Sequence, residues 1–423
     1  MACIEVAPAA ARDPFSCKHD GAAAVSTNLL PLPPEFVDFL LGQNVDPRVY
    51  LAAQTLPRYF RVKPSATNAA GELAKELGIK VEPVSWLPGF FQCSSQASLA
   101  SSSAYKSGKI YGMDAASGAA VAALDIQSGD HVLDVCAAPG AKLCMMAEVL
   151  GVGAGTLTGV DISRHRLAAC RTMLQKYELG SRARLFLADG TTFSILPVKE
   201  APQSNASVLE RQSHQSCSYL LKDGLLADWR PPKSKRGKRD DQRAVSKGQA
   251  NGPELFYYGC ESGIVGREMR SVLAQGTADA ALVDGYDKVL VDAECTHDGS
   301  LKHICKFEQW GWETFEKRFF NSERISTITN LQLRLLSNGF RLLKQGGTLV
   351  YSTCSFTYDQ NEGVLKQFLA AHPDAEVREI KSAKSWPCTM TGLCLRFDPL
   401  VSNTNGQFVA KITKERMSYE QIL

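Results

Sequence analysis

Two cysteines of this chain each follow an apolar run of the kind that forms a buried strand. Cys295 closes the run at residues 289–295 (VLVDAEC), and Cys354 follows the run at 349–353 (LVYST). A third run leads into residues 134–142 (DVCAAPGAK). In an open α/β sheet, parallel strands bring their carboxyl ends to one crevice, where residues distant in sequence can meet. We therefore expect two thiols, the side chains used for covalent catalysis by a thiolate, beside one ligand-binding loop.

The composition of the chain limits the kind of protein it encodes. With 423 residues, 44% of them hydrophobic, it can form a large catalytic domain and a smaller accessory one. It has no run of about 18 apolar residues, so we predict no membrane segment. Its 13 cysteines lack the spacing of a disulfide framework, which indicates reduced thiols. We expect a monomer in the cytoplasm or the nucleus/nucleolus, with an organelle matrix as the alternative.

The positive charge of the chain is concentrated in one segment. The net charge is only +3, yet the segment from Arg230 to Lys247 holds eight basic residues against two aspartates. The rest of the chain is therefore slightly acidic. Such a run favours a solvated linker, while phosphate binding or nuclear import through residues 233–239 stays open.

The residue pattern after position 115 alternates between strand and helix signals. We predict strands at residues 131–137, 157–162, 183–188, 288–293 and 347–354, and helices at 142–150, 163–177 and 325–343. Two late strands, at 393–397 and 406–412, would close the sheet as an edge pair. This order predicts an α/β fold with a doubly wound, mostly parallel seven-stranded sheet.

Three further segments complete the predicted organisation. Residues 1–32 form a disordered tail, residues 33–110 a small N-terminal α/β unit, and residues 111–423 the catalytic domain. A flexible basic insertion at about 197–284 interrupts the catalytic domain, with a short strand at 255–258 and a short helix at 267–274.

The N-terminal unit contains one run that interleaves aromatic and basic side chains. The run consists of Arg58, Tyr59, Phe60, Arg61 and Lys63. These side chains could stack on bases and pair with phosphates. Packing inside the unit is an equally good interpretation, and the sequence leaves the choice open.

The third apolar run predicts a cofactor pocket. A glycine turn after a first strand lets the backbone approach a ligand, and an acidic residue at the end of the second strand can bond ribose hydroxyls. Residues 136–142 and Asp161 match those positions, and Asp189 ends the third strand, where an adenine amine would lie. Gly140 is the only glycine of the turn, which argues against a nicotinamide dinucleotide. Few reactions need two thiols beside a nucleotide pocket, and methyl transfer to a pyrimidine ring carbon fits best.

Three motifs together resemble the Nop/Sun family of RNA cytosine-5 methyltransferases, which use S-adenosylmethionine and have a Rossmann-like fold. The motifs are residues 134–142 (DVCAAPGAK), 292–295 (DAEC) and 352–355 (STCS), the last followed by Asn361 and Glu362. The resemblance extends over roughly residues 57–411. It implies 5-methylcytosine formation in tRNA or rRNA, with residues 33–110 handling the RNA. The lack of a visible added RNA module favours tRNA.

The resemblance also implies a role for each site residue. Cys354 is the expected nucleophile, Cys295 the product-release cysteine, and Lys142 and Asp292 assist at the cytosine. The residues expected to bind the cofactor are Cys136, Ala137, Ala138, Pro139, Gly140, Ala141, Lys142, Asp161, Asp189 and Asp292.

Two positions in the site motifs depart from the family pattern. Glu294 replaces the proline that usually precedes the release cysteine, and Ala141 replaces a second glycine. A carboxylate beside Cys295 would raise the pKa of that thiol and could remove the proton from cytosine carbon 5. Glu294 and the basic insertion also prompt the alternative of a catalytically lapsed RNA-binding scaffold.

One metal-binding interpretation was weighed against the strand assignment. Cys295, His297, His303 and Cys305 lie within eleven residues. Their one-residue gaps would strain a tetrahedral zinc site, so we predict no metal.

Overall fold

The computed structural model describes residues 32–197, 253–259, 261–262, 285–312, 315 and 319–415. Residues 1–31 of the predicted tail, the segment from Arg230 to Lys247 and the helix predicted at 267–274 therefore lie outside the described residues.

Helices occur in both parts of the described chain. They are α1 (Pro34–Gly42), α2 (Ala69–Leu77), α3 (Ser103–Lys106), α4 (Ala115–Ala122), α5 (Ala141–Leu150), α6 (Arg164–Lys176), α7 (Leu301–Ile304), α8 (Phe307–Trp310), α9 (Ser322–Leu342), α10 (Val364–Ala371) and α11 (Pro399–Ser402). Single 3₁₀ turns or short 3₁₀ helices lie at Pro47–Gln54, Leu99–Ser101 and Lys381–Ser385, and a π-helical turn lies at Asp359–Gly363. None of the described helices is long and apolar enough to cross a bilayer.

The N-terminal part contains a small antiparallel sheet. Its strands are β1 (Arg58–Val62), β2 (Val81–Pro83), β3 (Phe90–Cys93) and β4 (Ile110–Gly112), in the order β2-β3-β1-β4. Helix α2 ends at Gly78, whose left-handed conformation is typical of a helix C-terminus.

The second sheet confirms the predicted doubly wound, mostly parallel α/β architecture. Its strands are β5 (His131–Asp134), β6 (Thr156–Asp161), β7 (Ala183–Leu187), β8 (Glu254–Tyr258), β9 (Tyr286–Asp292), β10 (Leu343–Thr353), β11 (Ala375–Arg378), β12 (Thr389–Thr391), β13 (Cys394–Phe397) and β14 (Gln407–Lys414). The order is β12-β13-β14-β10-β9-β5-β6-β7-β8, with β11 paired to β14. Within the series β10-β9-β5-β6-β7, each strand is parallel to the next.

The strand count and the edge differ from the sequence prediction. The described sheet has ten strands rather than seven, because β8, β11 and β12 are added. The strand predicted at 255–258 is confirmed as β8, antiparallel to β7. The predicted pairing of the two late strands is confirmed, since β13 and β14 are antiparallel neighbours. They do not form the edge, because β12 lies beyond β13 and β11 also pairs with β14. Strands β11 and β12 have only four and three residues, too few for a clear alternating pattern.

Helix α9 illustrates how the sequence builds the layer beside the sheet. Asn321 caps it, because its side-chain oxygen accepts a hydrogen bond of 2.8 Å from the amide of Arg324. Ile328, Leu335 and Leu342 are buried on the face that the periodicity predicts. Gly339 permits close packing, since a Cβ there would come within 2.9 Å of a methyl of Val291 on β9.

The first described segment packs on the catalytic part rather than on the small sheet. Phe36 of α1 and Tyr50 of the following 3₁₀ helix share a hydrophobic cluster with Phe307 and Phe315. The Tyr50 hydroxyl donates a 2.8 Å hydrogen bond to the carbonyl of Asp298. The boundary at residue 110 stays a prediction, and the segment before β1 contributes to the surroundings of the later loops.

The aromatic and basic run of β1 is mostly used for packing. Phe60 is fully buried, and the Tyr59 hydroxyl donates to the carbonyl of Asn403. The Arg61 guanidinium pairs with Glu148 at 2.6 Å. The Lys63 ammonium donates to the carbonyl of Tyr177. Arg58 alone of the five is exposed.

Candidate active site

The site lies where the parallel strands end. Residues 136–142 connect β5 to α5, Asp161 is the last residue of β6, and Asp189 follows β7. Asp292 ends β9, and Cys295 comes three residues later. Cys354 follows β10 directly. Neighbouring parallel strands in the order β10-β9-β5-β6-β7 bring these positions to one edge of the sheet.

The loop at 136–142 is held tightly against β6 and α6. The Asp161 carboxylate accepts hydrogen bonds from the amides of Ala138 (3.3 Å) and Ser163 (2.8 Å). The Arg166 guanidinium donates to the Ala138 carbonyl at 2.8 Å. Gly140 has φ +111°, a conformation that L side chains rarely adopt, and it lies against Cys170. The backbone of the loop is thus fixed before a ligand arrives.

The surroundings of this loop fit a nucleoside-type cofactor. Asp161 keeps only a small exposed part, and the neighbouring Ile162 is 70% exposed at the end of β6. An exposed isoleucine beside a buried carboxylate offers an apolar face for a base next to an acceptor for ribose hydroxyls. Asp189 is exposed, with one carboxylate oxygen bonded to the amide and hydroxyl of Thr191.

An ion pair links the cofactor loop to the end of β9. The Lys142 ammonium lies 2.7 Å from one carboxylate oxygen of Asp292. The other oxygen accepts a 2.7 Å hydrogen bond from the Ser352 hydroxyl on β10. Burial lowers the pKa of Lys142, but the charge and hydrogen bond of Asp292 outweigh it, so the pKa is raised. Lys142 therefore stays charged beside the thiols.

The structure brings the two predicted cysteines into contact. The sulfurs of Cys295 and Cys354 are 3.4 Å apart. Cys295 is buried, whereas Cys354 is partly exposed and therefore reachable. Sequence reasoning from the strand ends predicted this meeting.

The environment makes the two thiols unequal. The hydrogen bond with Cys295 lowers the pKa of Cys354 against the opposing effect of burial, and His297 lowers it further. The pKa of Cys295 is raised, first by its hydrogen bond to Cys354 and then by burial. The expected effect of Glu294 on Cys295 is thus not the main cause of that shift. Cys354 is the sulfur that ionises first, with the Cys295 thiol donating to it.

A buried polar network joins the loops that carry the cysteines. Gln360 accepts from the Thr296 amide at 3.0 Å and donates to the Thr296 hydroxyl at 2.9 Å. The Gly299 amide donates to the Cys354 carbonyl at 2.8 Å. Asn361 donates to the Ser355 carbonyl at 2.8 Å. Of these side chains, only Asn361 was noted in the sequence, because the network depends on turns that the residue pattern does not fix.

His297 is the functional residue that sequence reasoning missed. Its Nδ1 lies 3.0 Å from the Cys354 sulfur and 3.6 Å from the Cys295 sulfur. The signal in the sequence is its position two residues after Cys295, a spacing that also suggests a zinc ligand. Of the other two residues in that set, His303 makes an edge contact with the His297 ring, while Cys305 packs on the apolar cluster around Tyr50.

A cavity of about 320 Å³ opens beside Cys295 and His297. Its wall is made of Glu294, Cys295, Thr296, His297, His303, Phe307, Phe319 and Arg324. Glu294 is exposed there, and its backbone carbonyl accepts a 2.8 Å hydrogen bond from Gln332 of α9. A cavity with apolar and charged walls can hold a planar polar ring.

One further carboxyl lies beneath the site. Burial, followed by repulsion from Asp292, raises the pKa of Asp134 to about 8. One Asp134 oxygen accepts a 3.2 Å hydrogen bond from the Cys136 amide. The end of β5 thus holds a carboxyl that is partly protonated near neutral pH.

The family model of 16S rRNA methyltransferase RsmB/F matches residues 121–213 and 264–413, more than half of the chain.

Curated relatives match over shorter stretches. A ribosomal RNA small subunit methyltransferase B of Sodalis glossinidius (strain morsitans) is 32% identical over 154 residues, which are 36% of this chain and 32% of the relative. A probable ribosomal RNA small subunit methyltransferase B of Coxiella burnetii (strain RSA 493 / Nine Mile phase I) is 24% identical, covering 72% of this chain and 50% of the relative. The chain thus spans about a third to a half of these two relatives.

Solved structures share the fold over most of the chain. A methyltransferase homolog from Pyrococcus horikoshii has a TM-score of 0.55 at 22% identity and covers 90% of this chain and 100% of its own. NSun6 from Pyrococcus horikoshii with SFG has a TM-score of 0.58 at 15% identity, covering 91% and 99%.

Proposed function

Since the chain belongs to the 16S rRNA methyltransferase RsmB/F family, we propose that it is an S-adenosylmethionine-dependent RNA methyltransferase that forms 5-methylcytosine. The observation that carries the proposal is the contact of the Cys295 and Cys354 sulfurs beside the Lys142–Asp292 ion pair. A protein that only binds RNA has no use for an ionisable thiol at that place.

The proposed cofactor residues surround one loop. Cys136, Ala137, Ala138, Pro139, Gly140, Ala141 and Lys142 would hold the methionine end, Asp161 the ribose, and Asp189 the adenine, with Asp292 facing both cofactor and base. When bound, S-adenosylmethionine supplies an electrophilic methyl group. The buried Asp161 carboxylate and the exposed Ile162 support this assignment.

Cys354 is the proposed nucleophile. Carbon 5 of cytosine is too electron-poor to take a methyl group directly, so the thiolate first adds to carbon 6 and makes carbon 5 nucleophilic. The lowered pKa of Cys354, caused first by the Cys295 hydrogen bond, supports attack near neutral pH.

Lys142 and Asp292 would stabilise the cytosine adduct. Their ion pair stands between the cofactor loop and the thiols. A carboxyl bonded to the ring nitrogen and the exocyclic amine, with a cation beside it, can stabilise charge that develops on the ring. The Ser352 hydroxyl positions Asp292 for this contact.

Cys295 and Glu294 would serve product release. After methyl transfer, a base removes the proton from carbon 5, and the bond between carbon 6 and Cys354 breaks. Glu294 lies in the cavity wall and is the proposed base. Glu294→Gln should slow turnover and accumulate a covalent RNA adduct; a variant that does neither would remove Glu294 from the mechanism.

The proposal is tested with labelled S-adenosylmethionine and in vitro transcribed 16S rRNA, with a tRNA pool in a parallel reaction. Cys354→Ala should lose product, and Cys295→Ala should retain the protein on RNA as a denaturant-resistant adduct. Cys388→Ala is the matched control, because Cys388 lies in a hydrophobic cluster away from the thiol pair. RNA binding without product or adduct in the wild-type protein would favour the scaffold alternative.

The names of the relatives favour rRNA as the first substrate to test, although the sequence alone had favoured tRNA. The RNA-handling role of residues 33–110, the monomeric state and the compartment stay predictions.

A further inference from the structure

His297 stands at the reacting sulfur, in a place the mechanism above leaves without a role. Its Nδ1 lies 3.0 Å from the Cys354 sulfur, the shorter of its two contacts with the thiols. We propose that His297 is the proton acceptor of Cys354 and that the two form an imidazolium–thiolate pair, whose thiolate adds to the cytosine ring. The use of the pair in catalysis rests on the proposed function, whereas the pair itself can be measured without RNA.

The backbone fixes His297 in this position. Its φ is +61°, in the left-handed region that residues with a side chain rarely adopt. The residues on both sides are anchored, since the Thr296 amide donates to Gln360 and the Tyr50 hydroxyl donates to the Asp298 carbonyl. The turn therefore fixes the backbone at His297, and the exposed imidazole lies at the sulfurs through its 3.0 Å contact with Cys354.

The charges around the imidazole favour its protonated form. The hydrogen bond with Cys354 raises the pKa of His297, burial lowers it, and the negative charges of Cys354, Glu294 and Asp292 raise it further. Arg324 and His303, which share the cavity wall, act in the opposite sense. Lys142, whose own charge is favoured by Cys354, adds a second cation near the sulfur. The balance of these groups raises the pKa of His297.

The proton and electron balance of the step is simple. The S–H bond of Cys354 breaks and an Nδ1–H bond forms on His297. A lone pair of the thiolate sulfur then forms the bond to carbon 6, while the π electrons of the C5=C6 bond become available at carbon 5. After methylation, the proposed base Glu294 takes the proton from carbon 5, the C5–H pair restores the double bond and the C6–S bond breaks, so the thiolate returns to face the imidazolium. Cys295 stays protonated throughout and donates to the same sulfur.

The pair is tested by the pH dependence of Cys354 alkylation. The full-length protein reacts with iodoacetamide in buffers that contain a chelator, and mass spectrometry follows the Cys354 peptide. His297→Asn is the variant of choice, because asparagine tolerates the left-handed backbone but carries no charge. We expect the midpoint to rise by about one pH unit, so that alkylation on the acidic side slows about tenfold. His372→Asn is the matched control, because His372 packs on Phe340 and Phe368 and does not line the cavity. Its profile should follow that of the wild type.

A second variant keeps the test decisive if His297→Asn fails to fold. Cys295→Ala removes the other hydrogen bond to the Cys354 sulfur. If His297 holds the pair, Cys354 in this variant still reacts at a pH below that of an ordinary thiol. A return to the ordinary profile, or an unchanged profile in folded His297→Asn, would overturn the inference.

The methylation assay separates this inference from the proposed function. A shifted alkylation profile in a protein without methyltransferase activity would leave the pair standing and remove the function. Product formation with an unshifted alkylation profile would support the function and remove the imidazolium–thiolate pair. In an active enzyme, His297→Asn should lower kcat most at acidic pH and leave the KM for RNA unchanged, which a merely structural role would not do.

Discussion

The sequence predicts functional side chains in two regions, the pocket of Cys295 and Cys354 and strand β1 of the small sheet. The structure uses the side chains of the two regions differently. At the sheet edge, Cys295 and Cys354 come from distant loops and meet at 3.4 Å. Arg61 of β1 and Lys63, which follows the strand, belong to an equally suggestive run, yet both are held by contacts inside the protein. The lesson is that convergence of parallel strand ends is set by the backbone topology, whereas the role of a side chain on a strand depends on what packs against each face.

Removal of the proposed nucleophile should have the largest effect on activity. Cys354→Ala should lower product formation at least about a thousandfold, because the covalent step has no substitute. The thermal unfolding midpoint should change little, since the sulfur is partly exposed. Labelled methyl transfer and calorimetry measure the two effects. A large fall in the unfolding midpoint would mean that the pocket is used for packing as β1 is.

On β1, a substitution is expected to lower the stability of the protein. Arg61→Met should cost about 3–5 kcal/mol in the free energy of unfolding, because it leaves the Glu148 carboxylate buried without its partner. Urea denaturation measures the change. Lys109→Met is the control, since its pair with Glu72 is exposed and worth at most about 1 kcal/mol. Equal effects of the two variants would contradict the packing role of Arg61.

A pH dependence of stability should distinguish the pocket from β1. Burial and Asp292 raise the pKa of Asp134 to about 8 in the folded state. The folded state therefore binds a proton that the unfolded chain has already released, and stability falls as the pH rises toward 8. Between pH 6 and 8, the wild type should lose roughly 2 kcal/mol more than Asp134→Asn. Parallel urea-denaturation results for the two proteins would exclude this account.

The smallest effect is expected at the exposed end of β1. Burial lowers the pKa of Lys302 on α7, and the positive charge of Arg58 lowers it further. Arg58 therefore lies near that lysine. Arg58→Ala should weaken RNA binding a few-fold and reduce the salt slope by about one. Tyr59→Phe should leave binding unchanged, as the Tyr59 hydroxyl already contacts Asn403. Equal losses in filter-binding titrations would make the whole strand an RNA surface.

The sequence was sufficient for the parts of the molecule that follow general rules. The alternation of strands and helices predicted the parallel sheet, and the family resemblance is confirmed. The meeting of the two cysteines followed from the rule that parallel strands end at one edge. The short strands β11 and β12 were missed because their pattern is too brief.

What could not be predicted depends on local turns and distant packing. The direction of the His297 ring is set by a left-handed residue, and glycine or asparagine would have been the usual signal for such a turn. Gln360 acts through a buried network whose partners lie 64 residues away. The use of Arg61 required knowledge of Glu148, 87 residues further along the chain.

The hydrogen bond from Tyr50 to Asp298 joins segments 248 residues apart. The loop that presents His297 thus gains one of its supports from a segment that leaves the ribosome long before it. That early segment must wait until the second half of the protein has emerged. We expect the site around His297 to assemble late in biosynthesis. A nascent polypeptide stalled before residue 298 would therefore be devoid of activity.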